Sequence, residues 1–508
     1  MKQTLTPILR TAFGRSLRAP VFGASLLCLA ATTASSWAEE YSWIQTANNQ
    51  TWTNTGSWTP TPPTGGPTAE DSIYISSTGT LLLGGDRQIT NVTAEIAGTT
   101  IAGGNPQNSH FVFTISNNLT VNSEASLLLR NGSNASQTTL ETIVQGNFTV
   151  QESGTLTLGG AGNDFVAAMA GFQVSGTTTL AAGATVIMYQ GNGWGADVPL
   201  TLGDVVMANT SVINLSNGAQ AGNFSRTVTA RSLSGNGTIR VNSQDLSGSN
   251  TRAVTLRVET GATSNGDFSG VLENGGVGST LSVVVAGNGV QTLSGNNTYT
   301  GLTRVESGTL LVNGSIAASS GVEVQAGGTL GGHGTVAAIS GAGTVNPGNS
   351  AGILTAPSVD GSEGLDFVFQ ITQQTPAFSN AANSGNDILR LTGATPFMAA
   401  LGAGNTVTVD FTGVSLTEGL YLGGFYVDVA DFMEQIENAN FVFLGASGFE
   451  VSVTTLQYSA DFGAGLVNGY ITGFNVTAIP EPGSIGFVLL GGLGVLAACR
   501  KRQPACRS

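Results

Sequence analysis

The residues able to do chemistry in this chain are few, and their spacing limits what they can do. The stretch "GGAGNDFVA" (159–167) carries the pattern G-G-x-G-x-D-x-U-x. In that pattern turn carbonyls and a carboxylate hold calcium between consecutive turns. One copy supplies half of a cage that needs about six to eight oxygens, and no second copy follows. Asp164 is therefore the one candidate metal ligand, and no metal site or cofactor is assigned. A Gly-rich corner capped by Asn163 and Asp164 accounts for the same residues. Glycoside chemistry needs two carboxyls roughly 5–10 Å apart, and the acids here are dispersed. Asp197 and Asp204, in "WGADVPLTLGD", come nearest to a pair. The only histidines are His110 and His333, far apart in sequence, with His333 in the turn "LGGHGTV". No HExxH, GxSxG or phosphate loop is present. The inventory predicts a protein without catalytic residues. A β-helical polysaccharide lyase or hydrolase is the competing class.

Charge and cysteine narrow the partners. Between Glu39 and Glu481 nine arginines face 31 acids, a net charge of −22, and there is no lysine. Such a body is repelled by phosphate backbones, so nucleic acid is not expected as a partner. Cys28, Cys499 and Cys506 all lie near the ends, which leaves the body without a disulfide framework or thiolate metal site.

Those ends predict export. Residues 1–38 join a basic, acid-free start to an apolar run over about Val21–Ala31. Small residues Ser36 and Ala38 then fit a signal-peptide cleavage after Ala38. At the other end Ser484 to Cys499 is free of charge, enough for a helix of roughly 24 Å, near the lower limit for crossing a bilayer. Arg500, Lys501 and Arg502 follow and predict a cytoplasmic stop. With Pro480-Glu481-Pro482 just ahead of the span, residues 479–508 resemble the PEP-CTERM sorting signal. The resemblance implies processing near the triplet by an exosortase, a membrane-embedded transpeptidase. The span at 484–499 is then a temporary anchor in the inner membrane and the body's only membrane contact.

The body must position whatever function remains. From 71 to 358 short runs such as "NLTVNSEASLLL", "NFTVQESGTLTLGG" and "LTRVESGTLLVNGS" alternate apolar residues with Thr and Ser. This is a period-2 strand signal, recurring about every 20–25 residues. A single run cannot bury its apolar face, but stacked runs can. The expected fold is all-β, a right-handed parallel β-helix (solenoid) of roughly a dozen coils and about 60 Å. Asn and Gly are expected to supply positive φ at its corners.

Residues 268–316 resemble the autotransporter-associated β-strand repeat. The signature runs Leu293-Ser294-Gly295, then Asn297-Thr298-Tyr299-Thr300-Gly301, to Gly308-Thr309-Leu310. "GTVAAISGAGTVNPGNSAGILT" (334–355) is similar to the segment that closes such repeats. The resemblance implies a passenger-like β-helix at the cell surface; the large translocator barrel of a true autotransporter has no counterpart in these residues.

Residues 359–478 carry longer, more aromatic runs and predict a β-sandwich-like cap. One short helix is expected there, with Asp431 and Glu434 as capping box and Val429, Phe432, Met433 and Ile436 as apolar face. The Trp-rich segment 39–70 holds Trp43, Trp52 and Trp58, either as a plug on the first coil or as an aromatic glycan platform. The functional expectation is a secreted, envelope-sorted structural or adhesive protein. Its partners would be extracellular polysaccharide or a neighbouring cell surface.

Overall fold

The computed structural model describes residues 38–45, 50–104, 109–131, 139–159, 171–189, 199–217, 224–242, 251–348, 351–379, 381–382, 384–463 and 465–479. The chain divides into Met1–Trp37 and Ala38–Ser508, and the described residues all belong to the second unit. The leader up to Trp37, Asp164, Asp197, the Pro480-Glu481-Pro482 triplet, the span at 484–499 and Arg500, Lys501 and Arg502 lie outside them. Ala38 is described and exposed. Among the described residues no helix is long and apolar enough to cross a membrane.

The body is a parallel β-helix. Each coil contributes a strand to a first face, then a second, then a third. Ser72–Ile75, Gly79–Leu82 and Arg87–Ile89 make one such circuit, and Asn91–Ala94 begins the next beside Ser72–Ile75. The first face is a 17-stranded sheet, parallel throughout except for Trp58–Thr59 at its start. Its sixteen parallel rungs, at about 4.8 Å each, extend roughly 70 Å. Twelve of these rungs fall between residues 71 and 358, the dozen expected there, and the other four lie outside that range, at Glu40–Trp43, Asp366–Gln370, Thr406–Asp410 and Asn440–Leu444. Coil length varies widely. Thr329 lies beside Thr344 fifteen residues on, whereas Phe367 lies beside Val407 forty residues on. Strand pairing holds the rung spacing constant, and the corners absorb the difference.

Alternation decides what is inside. On the first face Ile75, Ala94, Val121, Val150, Leu180 and Met207 are register neighbours in turn and form one buried column. The residues between them, Thr93, Thr120, Thr149 and Thr179, form a half-buried outward row.

Glycines such as Gly84, Gly183 and Gly203 supply positive φ as expected, but the corner asparagines do not. Asn91 accepts from the Asn118 N–H, Asn118 from Asn147 and Asn147 from Thr177, at 3.1, 3.1 and 2.9 Å. Asparagine here is a hydrogen-bond ladder along the axis. Among the described residues the non-glycine positive φ values belong to Glu124, Ser153 and Thr210 instead.

The second face changes sheets part way. Nine strands run from Gln50–Thr51 to Val271–Glu273, and a 7-stranded sheet begins at Ser315–Ile316. Between them the segment 297–299 bonds down to Leu272 O and up to Ser315 O, so the wall is unbroken.

Both ends are closed. At the start Glu40–Trp43 is held between Ser72–Ile75 and Trp58–Thr59. The Trp43 and Trp58 rings meet edge-on at 5.0 Å, Trp52 and Trp58 at 5.4 Å, and all three are buried. The tryptophans therefore plug the first coil. Towards the other end the parallel sheets continue past residue 358 as far as Asn440–Leu444. The cap proper is the antiparallel hairpin Phe449–Asp461 and Leu466–Ala478, which joins the second face through Gly419–Val427. A satellite core including Phe378, Tyr426 and Ile471 lies beneath it. Arg390 fixes this region, bridging to Asp428 at 2.8 Å with its guanidinium 3.9 Å from the Phe462 ring centroid. The short helix is Met433–Ile436. Phe432 and Ile436 are buried, whereas Val429 is exposed and not part of its packing face. Asp431 accepts from the Thr455 hydroxyl and the Met433 N–H, which together hold its carboxyl below the usual range.

Candidate functional site

A cleft of about 550 Å³ lies on the outside of the first face. It runs along the solenoid axis across six rungs, from Val290 to Asp410, or about 24 Å. One or two outward positions of each strand build it, so register sets its order. Val290, Thr309 and Thr329 follow one another in one row; Leu311, Gly331 and Asn346 do so in the next. Gln370 and Asp410 are direct neighbours at its far end. Gly331 is required by close approach: a Cβ there would lie 2.7 Å from the Asn346 carbonyl oxygen and 2.9 Å from the Leu311 side chain.

Asp387 closes the cleft on the side of the second face. It is 1% exposed. One carboxylate oxygen accepts from the Gly352 N–H at 2.9 Å and the other from Gln370 at 2.7 Å. Its own carbonyl accepts from Gly424, so the residue ties strands of successive coils together. Burial pushes its carboxyl up to about 8, against the two N–H donors that favour the ion. A carboxyl raised on folding stabilises the fold fully below its ordinary value near 3.8. That contribution is lost as pH rises through about 8. Stability is therefore expected to fall from pH 5 to pH 9 by about 4 kcal/mol, about 1.4 for each unit between pH 5 and the raised value. Asp387→Asn should flatten the profile; a parent protein equally stable at both pH values would contradict the assignment.

The sequence-predicted residues are not gathered here. Asp197 lies outside the described residues. Asp204 is engaged elsewhere: Arg231 donates to it at 2.6 Å and the Ser232 hydroxyl at 2.8 Å. Burial raises its carboxyl, but these bonds outweigh burial and hold it below the usual range. Arg231 also donates to the Ser175 and Gly176 carbonyls, which makes the group a staple between coils. His110 sits on the third face, 2.9 Å from the Thr139 hydroxyl and 3.4 Å from Glu141. His333 lies at a corner some eight coils away, about 40 Å along the axis. Several other acids are paired: Glu259 and Glu306 with Arg257, and Glu323 with Arg304. Among the described residues no three His, Cys, Asp or Glu side chains are grouped to hold a metal ion.

Sequence reasoning missed the cleft and Asp387. No short spacing marks them, because the six rungs draw on residues from 290 to 410. The repeat signature did point to the neighbouring architecture. Asn297 is buried, accepting from Leu272 N–H at 3.0 Å and donating to the Gly295 and Ser315 carbonyls at 2.9 and 3.1 Å. Fully buried Tyr299 bonds the Thr303 hydroxyl at 2.7 Å, and Thr303 meets Ser319 at 3.0 Å. The signature is thus a buried polar clip across the place where the second face changes sheets.

Comparison with known proteins agrees with that placement. No curated protein matches the chain. Residues 283–312 match the passenger-associated-transport-repeat family, the autotransporter-associated β-strand repeat, which implies a secreted or cell-surface β-helical protein.

Proposed function

We propose that the chain is an exported surface or matrix component that acts as a rigid, non-catalytic scaffold contacting extracellular polysaccharide or neighbouring cells. The observation that carries this reading is a passenger repeat embedded in an unbroken sixteen-rung stack. Outward threonines repeat along the axis of that stack, and weak contacts repeated in this way sum to useful avidity. Turnover is not part of the reading. Of the two carboxylates at the cleft, Asp387 is buried and engaged by two backbone N–H groups. An acid–base pair needs both groups within reach of the bond.

Sorting through the C-terminal signal belongs to the same proposal. The secreted form is expected to lack residues from about Ser484 onward, released near Pro480-Glu481-Pro482 by an exosortase. Intact mass of protein extracted from the cell surface measures this, and a mature chain ending at Ser508 would refute it. Adhesion is tested by comparing cells with and without the chain on polysaccharide-coated surfaces; equal retention would refute the adhesive role.

One observation favours a second reading, a carbohydrate-active enzyme. Asp387, its carboxyl raised by burial, shares a cleft with Asp410, and perturbed acids in clefts are where catalysis is found. Product release from any glycan, abolished by Asp410→Asn, would establish it.

A further inference from the structure

We propose that the cleft along the first face is a binding site for an uncharged oligosaccharide lying parallel to the solenoid axis. The inference rests on the adhesive reading above and gives it a location and a ligand class.

The cleft has unused hydrogen-bonding capacity. Thr309, Thr329, Asn346 and Gln370 line the cleft from four successive rungs. Their side chains make no hydrogen bond within the described residues, although Thr and amide groups offer both donors and acceptors. Sugar hydroxyls are likewise both donor and acceptor. Val290, Leu311 and Val368 add apolar surface between these groups, matching the C–H faces of a pyranose ring.

Charge at the cleft selects against anionic chains. Asp410 supplies the negative charge there, since burial holds Asp387 largely neutral at pH 7, and among the described residues no Arg or Lys lines the cleft. The surrounding body is strongly acidic. A uronic acid polymer or a phosphate-bearing chain would meet repulsion without a countercharge. Single-stranded nucleic acid would also lack an aromatic platform here.

The geometry of the sheet selects against a peptide. The cleft lies on a sheet face whose strands are paired on both sides, so a peptide finds no free edge on which to add a strand. Backbone pairing fixes the lining side chains at rung spacing before any ligand arrives, which lowers the ordering cost of binding.

The experiment uses the secreted chain on an array of neutral hexasaccharides (β-glucan, mannan and galactan) printed beside hexagalacturonate. At least one neutral oligomer is expected to bind ten times more tightly than the uronate or better. The Asn346→Ala/Gln370→Ala variant should lose at least tenfold in that affinity with an unchanged melting temperature. Asp410→Asn, which keeps the acceptor for the Thr412 N–H, should narrow the gap between neutral and acidic oligomers. Preference for the uronate, no retention of any neutral oligomer, or a double variant that binds like the parent would each overturn the proposal. If the double variant binds like the parent while cells still need the chain to adhere, the cleft fails and the adhesive reading stands. If sugar binding depends on the cleft but cells adhere equally well without the chain, the cleft stands and the adhesive reading fails.

Discussion

Trp52→Ala is expected to cost about 4 kcal/mol and to unravel the first coils before the rest of the solenoid. Removing a fully buried indole leaves a cavity as well as losing apolar transfer energy, typically about 3–5 kcal/mol. Trp52 is 1% exposed, packs edge-on against Trp58 at 5.4 Å and Phe113 at 6.2 Å, and donates its N–H to the Pro67 carbonyl at 3.2 Å. Trp58 in turn donates to the Trp52 carbonyl, so one substitution loosens the whole plug. Coils of a solenoid contact only their neighbours, and fraying from an opened end is the expected response. Gly66 sets the same constraint from the other side. With φ +89, a Cβ there would sit 2.5 Å from the Trp52 carbonyl oxygen and 2.7 Å from its ring. Limited proteolysis and thermal melting measure the effect. An alanine variant whose first coils resist protease as the parent does would show that the indoles are not structural.

Asn297→Ala is expected to destabilise the middle of the stack by a similar amount. The alanine leaves the buried Leu272 N–H without its acceptor and removes both bonds from the amide nitrogen. An orphaned buried donor costs about 1–3 kcal/mol and each further lost bond about 1, for a total of about 4. Asn297→Asp keeps the acceptor but turns a carboxylate towards two carbonyl oxygens, and should be no better tolerated. Hydrogen exchange is the most direct measurement, with protection falling at 271–273 and 315–316 on either side of the clip. Unchanged protection there would refute the assignment.

The alternation of apolar and Thr/Ser residues makes the strands legible in the sequence, since period 2 is a local property. Asn297 and Tyr299 are legible as a signature but not as a clip, because the partners Leu272 and Ser315 sit on neighbouring coils. The number of rungs is legible from 71 to 358, where twelve first-face strands meet the dozen expected, but not beyond it. A corner has no fixed length, and a step of forty residues reads in sequence as a change of domain. For that reason residues 359–444, whose aromatic strands suggest only a separate cap, in fact contain further parallel rungs. The corner asparagines read in sequence as residues tolerant of positive φ, whereas their amides form a ladder visible only once Asn91, Asn118 and Asn147 are stacked. Asp387 carries no local sign at all. Its environment is made by Gly352, Gln370 and Gly424, each from a different segment.

The unequal coils under equal rung spacing give the molecule a mechanical signature. Tension applied between the two ends runs along the inter-strand hydrogen bonds, which then open one after another like a zipper and do not shear together. Each rung that peels away releases slack in proportion to its own coil, at about 3.4 Å per residue. The step from Thr329 to Thr344 would yield about 50 Å, and the step from Phe367 to Val407 about 140 Å. A tethered protein of this kind lengthens in a fixed series of unequal steps, and so absorbs a pull on the cell surface without parting.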